Sequence, residues 1–165
     1  MNKNNNCDCG YDSDEQLHVA IDLDDTLIRS VSRNGSWMLN DGVSTYLGRI
    51  QEEFNCKFSL ITARPTDSYN TVKDIIKQIE SQLGVRFSNI VCTNFNPKGA
   101  YCSELGCSIL IDDSEEFLSD CPWQTPRVTS LLLGSSSNKE ENRRGHIPCF
   151  SWREVYQYFK NNYDN

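Results

Sequence analysis

Five short apolar runs, at residues 17–22, 58–62, 88–92, 108–112 and 127–133, recur along this chain of 165 residues, and the stretches between them carry apolar residues at helical spacing. Runs of that length bounded by turn residues read as strands, and strands that alternate with amphipathic helices read as a parallel sheet with crossover connections. Val43, Tyr46, Leu47, Ile50 and Phe54 form one helical stripe after the turn Asn40-Asp41-Gly42. Tyr69, Val72, Ile75, Ile76, Ile79 and Leu83 form a second, closed by Gly84. A short helix follows Asn96-Pro97 and ends at Gly106, and the last begins at Ser151, with Glu154 as its capping-box partner.

The fold expected from this order is a three-layer α/β/α, doubly wound, Rossmann-like sandwich on a mostly parallel five-stranded sheet. Ligands should then bind at the carboxyl ends of the strands. Residues 16–165 read as a single domain, 134–146 within it as a surface loop, and 1–15 as a disordered polar tail. The intervals 28–57 and 66–96 are each mostly consumed by one crossover helix, which leaves no space for a separate cap domain.

A net charge of −7 argues against general binding to nucleic acid backbones, which needs basic surface. No apolar run approaches the ~20 residues of a membrane span, and Met1-Asn2-Lys3-Asn4-Asn5-Asn6 lacks a signal-peptide core. The expectation is a cytoplasmic protein with reduced cysteines and no membrane partner. Oligomeric state is not constrained.

The chemistry collects where the runs end. The first ends in Asp22-Leu23-Asp24-Asp25-Thr26, a concentration of negative charge that is costly unless a cation or a proton equilibrium offsets it. Asp22 and Asp24 lie two apart and share a face in an extended strand, and hard oxygen ligands of this kind suit Mg²⁺. A solvated acidic turn is the plainer alternative. The second run ends in Thr62-Ala63-Arg64-Pro65. Thr62 reads as a turn or cap residue or as a hydroxyl donor at the crevice, and Arg64 as a ligand for an anionic or carbonyl group of a substrate or a salt-bridge partner for the acidic surface. Lys98 opens a helix, where a cation opposes the macrodipole unless an anion lies nearby. The fourth run ends in Asp112-Asp113-Ser114, adjacent carboxylates that repel each other and also read as a helix cap. Trp37, Trp123 and Trp152 could each stack on a ring, but burial suits Trp152 better because it follows a helix cap.

In order and placement these four segments resemble the motifs of the haloacid dehalogenase superfamily of phosphohydrolases: Asp-x-Asp-x-Thr after a strand, a strand ending in Thr, a lone Lys, and an acidic pair after a strand. The resemblance implies that Asp22 is the nucleophile of an aspartyl-phosphate intermediate and that Asp24 is the general acid and base. It implies Mg²⁺ held by Asp22, the Asp24 backbone carbonyl and Asp112, with Asp113 binding through water or orienting the loop. Thr62 and Lys98 would join the catalytic set, Thr62 donating to a phosphate oxygen and Lys98 clamping the phosphate and steadying Asp22, and Thr62, Ala63, Arg64 and Lys98 would bind substrate. Within the superfamily the chain looks most like a capless relative of the 5'-nucleotidase and deoxyribonucleotidase branch, acting on a nucleotide or other small phosphorylated metabolite, under a flap formed by Ile28 to Leu39. Alternatives on the same fold are a protein phosphatase or a polynucleotide 3'-phosphatase. From another class, a phospho-accepting receiver-like signalling domain uses similar residues, but there the acidic pair leads and the acceptor aspartate comes later.

Overall fold

The strands and helices assemble through alternation of side chains across the sheet. In the computed structural model, which describes residues 16–121, 127–134 and 145–164, β1 (Leu17–Ile21) turns Val19 and Ile21 to one apolar layer and Ala20 to the other. The fourth strand β4 (Cys56–Thr62) repeats the pattern with Phe58 and Leu60 against Ile61, and β6 (Ile109–Asp112) with Ile109 and Ile111 against Leu110. Strands buried on both faces read as continuous apolar runs, which is why the sequence announces them.

The remaining strands are β5 (Phe87–Cys92), β7 (Thr129–Leu133) and β8 (Ile147–Cys149), and the main sheet runs β5-β4-β1-β6-β7-β8 with every pairing parallel. Among the described residues the sheet therefore has six strands rather than the five expected. The sixth is Ile147-Pro148-Cys149. A three-residue run with a central proline carries no strand signal and is tolerated because it lies at the sheet edge.

Helices α1 (Val43–Glu53), α2 (Tyr69–Leu83) and the C-terminal α5 (Trp152–Tyr163) cover the larger apolar layer through Leu47, Ile50, Val72, Ile76, Val155 and Phe159. The short helices α3 (Gly99–Leu105) and α4 (Glu115–Leu118) cover the smaller layer on the other face through Cys102 and Leu118. Each fully buried Leu, Ile or Phe stabilises this arrangement by roughly 1.5–3 kcal/mol. Between β1 and β4 the chain forms an antiparallel hairpin, β2 (Ile28–Ser30) with β3 (Trp37–Leu39), and then α1. That hairpin occupies the expected flap segment.

Gly42 ends the connection at φ 85°, and a Cβ there would stand 2.9 Å from that of Trp152, so glycine is required on both counts. Trp152 is buried as expected, and its indole N–H donates to the Thr26 carbonyl at 2.9 Å, which ties the last helix to the loop after β1. The expected tail at 1–15, Trp123, and most of the loop at 134–146 lie outside the described residues.

Candidate active site

Chain order dictates where the motifs meet. From β1 the chain builds outward through β4 to β5, then returns to the other flank of β1 as β6, which makes the crevice between β1 and β6 the topological switch point. Ile21 pairs with Ile111 there, and the Asp22 N–H donates to the Ile111 carbonyl at 2.9 Å, so Asp22 and Asp112 emerge side by side. Thr62 ends β4 on the opposite flank.

The loop after β1 wraps around one carbonyl. Leu23 O accepts the N–H groups of Leu27 at 2.9 Å and Ile28 at 3.0 Å, and Asp25 takes the left-handed conformation at φ 60°, which aspartate tolerates better than most residues. This turn aims the Thr26 hydroxyl at Asp22 Oδ2, 3.0 Å away, and at Asp113 Oδ1, 3.3 Å away. Asn40 fastens the turn from the hairpin side by donating to the carbonyls of Asp25 and Thr26 at 3.1 and 3.2 Å.

Lys98 is completely buried, with its Nζ 2.6 Å from Asp22 Oδ1 and 2.5 Å from Asp112 Oδ2. Lys98 stands at the N-terminal cap of α3, where a cation is unfavourable on its own. Asp120 supplies the offset: its carboxylate accepts the N–H of Gly99 at 2.8 Å and of Ala100 at 3.0 Å. The Lys98 N–H donates to the Phe117 carbonyl at 2.9 Å, and the ammonium lies 5.2 Å from the centre of the Phe117 ring. No local pattern marks Asp120, because its partners lie 20 and 21 residues earlier.

Carboxylate oxygens of Asp22, Asp112 and Asp113 lie within 4.8 Å of one another. Burial, then the like charge of Asp112, raise the Asp22 pKa to about 6 against the pull of Lys98. Burial and the neighbouring Asp22 likewise raise Asp113 to about 6. Asp112 is raised by burial as well, and Lys98 opposes that shift. Burial works against the charge on Lys98, but Asp22 and Asp112 outweigh it and hold the pKa above the usual lysine value. The cluster has more negative charge than one ammonium offsets. Three convergent hard oxygens with surplus charge fit a divalent cation such as Mg²⁺.

Asp24 points elsewhere. Arg64 clasps its carboxylate with two hydrogen bonds, Nε to Oδ2 and an Nη to Oδ1, both 2.8 Å. Arg64 forms a salt bridge in this structure, with Asp24 as the partner. The Asp24 carboxylate is thus apart from the three-acid cluster, where Asp113 stands. Thr62 is buried, and its Oγ accepts the Arg64 N–H at 3.3 Å, leaving the hydroxyl proton to donate. Ala63 and Arg64 anchor the loop that follows β5: their carbonyls accept the N–H of Phe95 at 2.8 Å and of Asn94 at 3.2 Å. Asn94 and Phe95 both adopt positive φ, 54° and 65°, at a cost of roughly 1–2 kcal/mol for a left-handed side-chain residue.

No protein-family model and no curated protein matches the chain by sequence. Among solved structures it is similar to a protein from Thermotoga maritima described as a candidate beta-phosphoglucomutase, with a TM-score of 0.59 and 11% identity over 88% of this chain and 99% of that one. It is also similar to one from Vibrio cholerae described as a candidate 3-deoxy-D-manno-octulosonate 8-phosphate phosphatase, with a TM-score of 0.56 and 15% identity over 90% of this chain and 86% of the other. At such identities the likeness shows the fold. It is an α/β, Rossmann-like fold on a mostly parallel sheet. Among the described residues no helix is long and apolar enough to cross a membrane.

Proposed function

We propose that this protein is a Mg²⁺-dependent phosphomonoester hydrolase that works through an aspartyl-phosphate on Asp22. The observation that carries the proposal is the meeting of three separate segments at the crevice between β1 and β6, where a buried Lys98 lies between Asp22 and Asp112, with Thr62 at the end of the neighbouring strand β4.

In the first step a carboxylate oxygen of Asp22 attacks phosphorus and the bond to the ester oxygen breaks. Asp24 gives its proton to the departing alkoxide. In the second step water attacks the same phosphorus, Asp24 takes the water's proton, and the Asp22 carboxylate leaves with release of inorganic phosphate. For Asp24 to carry a proton, the clasp by Arg64 opens, and the guanidinium is then free to donate to the substrate. The pair is half-buried and bidentate, so opening it needs the new contact between the guanidinium and the substrate as an offset. Thr62 donates its hydroxyl proton to a phosphate oxygen, and Lys98 neutralises the charge that builds on the transferring group.

Asp22, Asp112 and Asp113 would hold the cation, together with the Asp24 backbone carbonyl expected from the motif. Bound there, the cation would screen the repulsion between a carboxylate nucleophile and a phosphate dianion. The short interval between β1 and β4, filled by the hairpin and α1, supports an open, capless site for a nucleotide or other small phosphorylated metabolite. A panel of nucleoside monophosphates, sugar phosphates, phosphopeptides and 3'-phosphorylated oligonucleotides, assayed for phosphate release with and without Mg²⁺, tests the reading. Mg²⁺-dependent release from small monoesters is expected. Stable phosphorylation of the protein with no release would favour the receiver-like alternative instead.

A further inference from the structure

Phe95 has two features that a merely structural residue would avoid together. It is 64% exposed, so its ring contributes little to the core, and its backbone sits at φ 65°, a conformation that disfavours bulky side chains. Outliers of this kind persist where surrounding structure over-determines them, and they concentrate at ligand sites. Here the surroundings do so. The Phe95 N–H is held by the Ala63 carbonyl, the Asn94 N–H by that of Arg64, the Thr93 hydroxyl donates to the Asn96 carbonyl at 2.9 Å, and the Asn96 amide returns a bond to the Thr93 carbonyl at 2.9 Å. The backbone that carries this exposed phenyl is thus held in place.

That position is set by the sheet. Phe95 follows the end of β5, two strands from Asp22 at the end of β1, and neighbouring strands are about 4.8 Å apart, so the two columns stand roughly 10 Å from each other on the same rim. Arg64 lies on the column between them. A phosphate against Asp22 and Lys98, a sugar passing Arg64 and a planar base over Phe95 matches this sequence of groups. We propose that Phe95 is a stacking subsite for the planar ring of the substrate and that it directs the enzyme to nucleoside monophosphates over ring-free sugar phosphates. The inference rests on the phosphohydrolase reading above and names the substrate class for that site.

The test compares AMP with ribose 5-phosphate in wild-type protein and in Phe95→Ala and Phe95→Trp. Base stacking on an aromatic residue is worth enough that Phe95→Ala should lower kcat/KM for AMP about tenfold relative to ribose 5-phosphate, and Phe95→Trp should restore the preference. Equal loss on both substrates, or loss on neither, overturns the proposal. A binding arm separates this result from failure of the phosphatase reading: AMP and ribose 5-phosphate are titrated calorimetrically into Asp22→Asn protein, with and without Phe95→Ala. A selective loss of AMP affinity of about tenfold supports the subsite even if neither compound is hydrolysed. An AMP affinity that Phe95→Ala leaves unchanged overturns it.

Discussion

Lys98 and Asp22 are separated by 76 residues of chain and meet as a buried ion pair at 2.6 Å. A lysine with no exposed surface is held there by geometry, and Asp112 on its other side completes a three-membered bridge across the switch point. Each element of that bridge has a measurable consequence.

Asp22→Asn and Asp24→Asn should each reduce phosphate release by at least about a thousandfold, as loss of a nucleophile or an essential proton carrier does. Asp22→Asn should leave the fold intact. The substitution removes one charge from a crowded acidic cluster and keeps the side-chain shape, and Lys98 retains Asp112. Steady-state assays beside circular dichroism melts read both effects, and full turnover in either variant removes that residue from the mechanism.

Lys98→Ala should lower kcat by about a hundredfold or more and raise KM less, since its charge matters most as the phosphoryl group transfers. It also strands two buried carboxylates, a loss of about 3–5 kcal/mol where they stay charged. Because burial already favours their protonated forms, the loss should shrink as pH falls from about 7.5 to about 5. Denaturant titrations at the two pH values measure that difference.

The raised acids give stability a definite slope. Asp22 and Asp113 move from 3.8 to about 6 on folding, so their contribution to stability is fully present below about pH 3.8 and is lost as pH rises through about 6. Lys98 is raised as well, from a higher starting value, so its contribution persists through neutral pH and disappears only above the usual lysine range. Metal ligands bind as carboxylates, so Mg²⁺ should raise the melting temperature by roughly 5 °C or more at about pH 7.5 and much less at about pH 5. Differential scanning fluorimetry with Mg²⁺ and with chelator decides it. An equal shift at both pH values would place the ion away from this cluster.

Asp120 holds the two amides that follow Lys98 and should act on the site through that lysine. Asp120→Asn turns an N–H₂ toward one of the two helix amides and removes the charge that offsets the helix end, so kcat should fall about tenfold with KM little changed. Lys98 should also become open to acetylation, read by mass spectrometry against Lys57 and Lys73. Leu110→Ala, from the same apolar layer, serves as a control that loses stability without exposing Lys98. If both variants exposed Lys98 equally, Asp120 would be only structural.

The sequence by itself determined the strands with two buried faces, the helical stripes and the order of the four motifs, because burial and periodicity are written in neighbouring residues. Leu17–Ile21 and Tyr69–Leu83 end within a residue of where the apolar patterns end. The edge strand at Ile147 was not legible, since its pairing with β7 rather than its composition makes it a strand. Nor were the partners: Arg64 on Asp24, Asp113 within the acid cluster, Asp120 behind Lys98 and Trp152 on the Thr26 carbonyl. Those contacts depend on which strands become neighbours and on the side from which each connection returns. Only the tertiary structure decided them, because the free energy that selects a sheet order is spread over the whole core and is recorded at no single position.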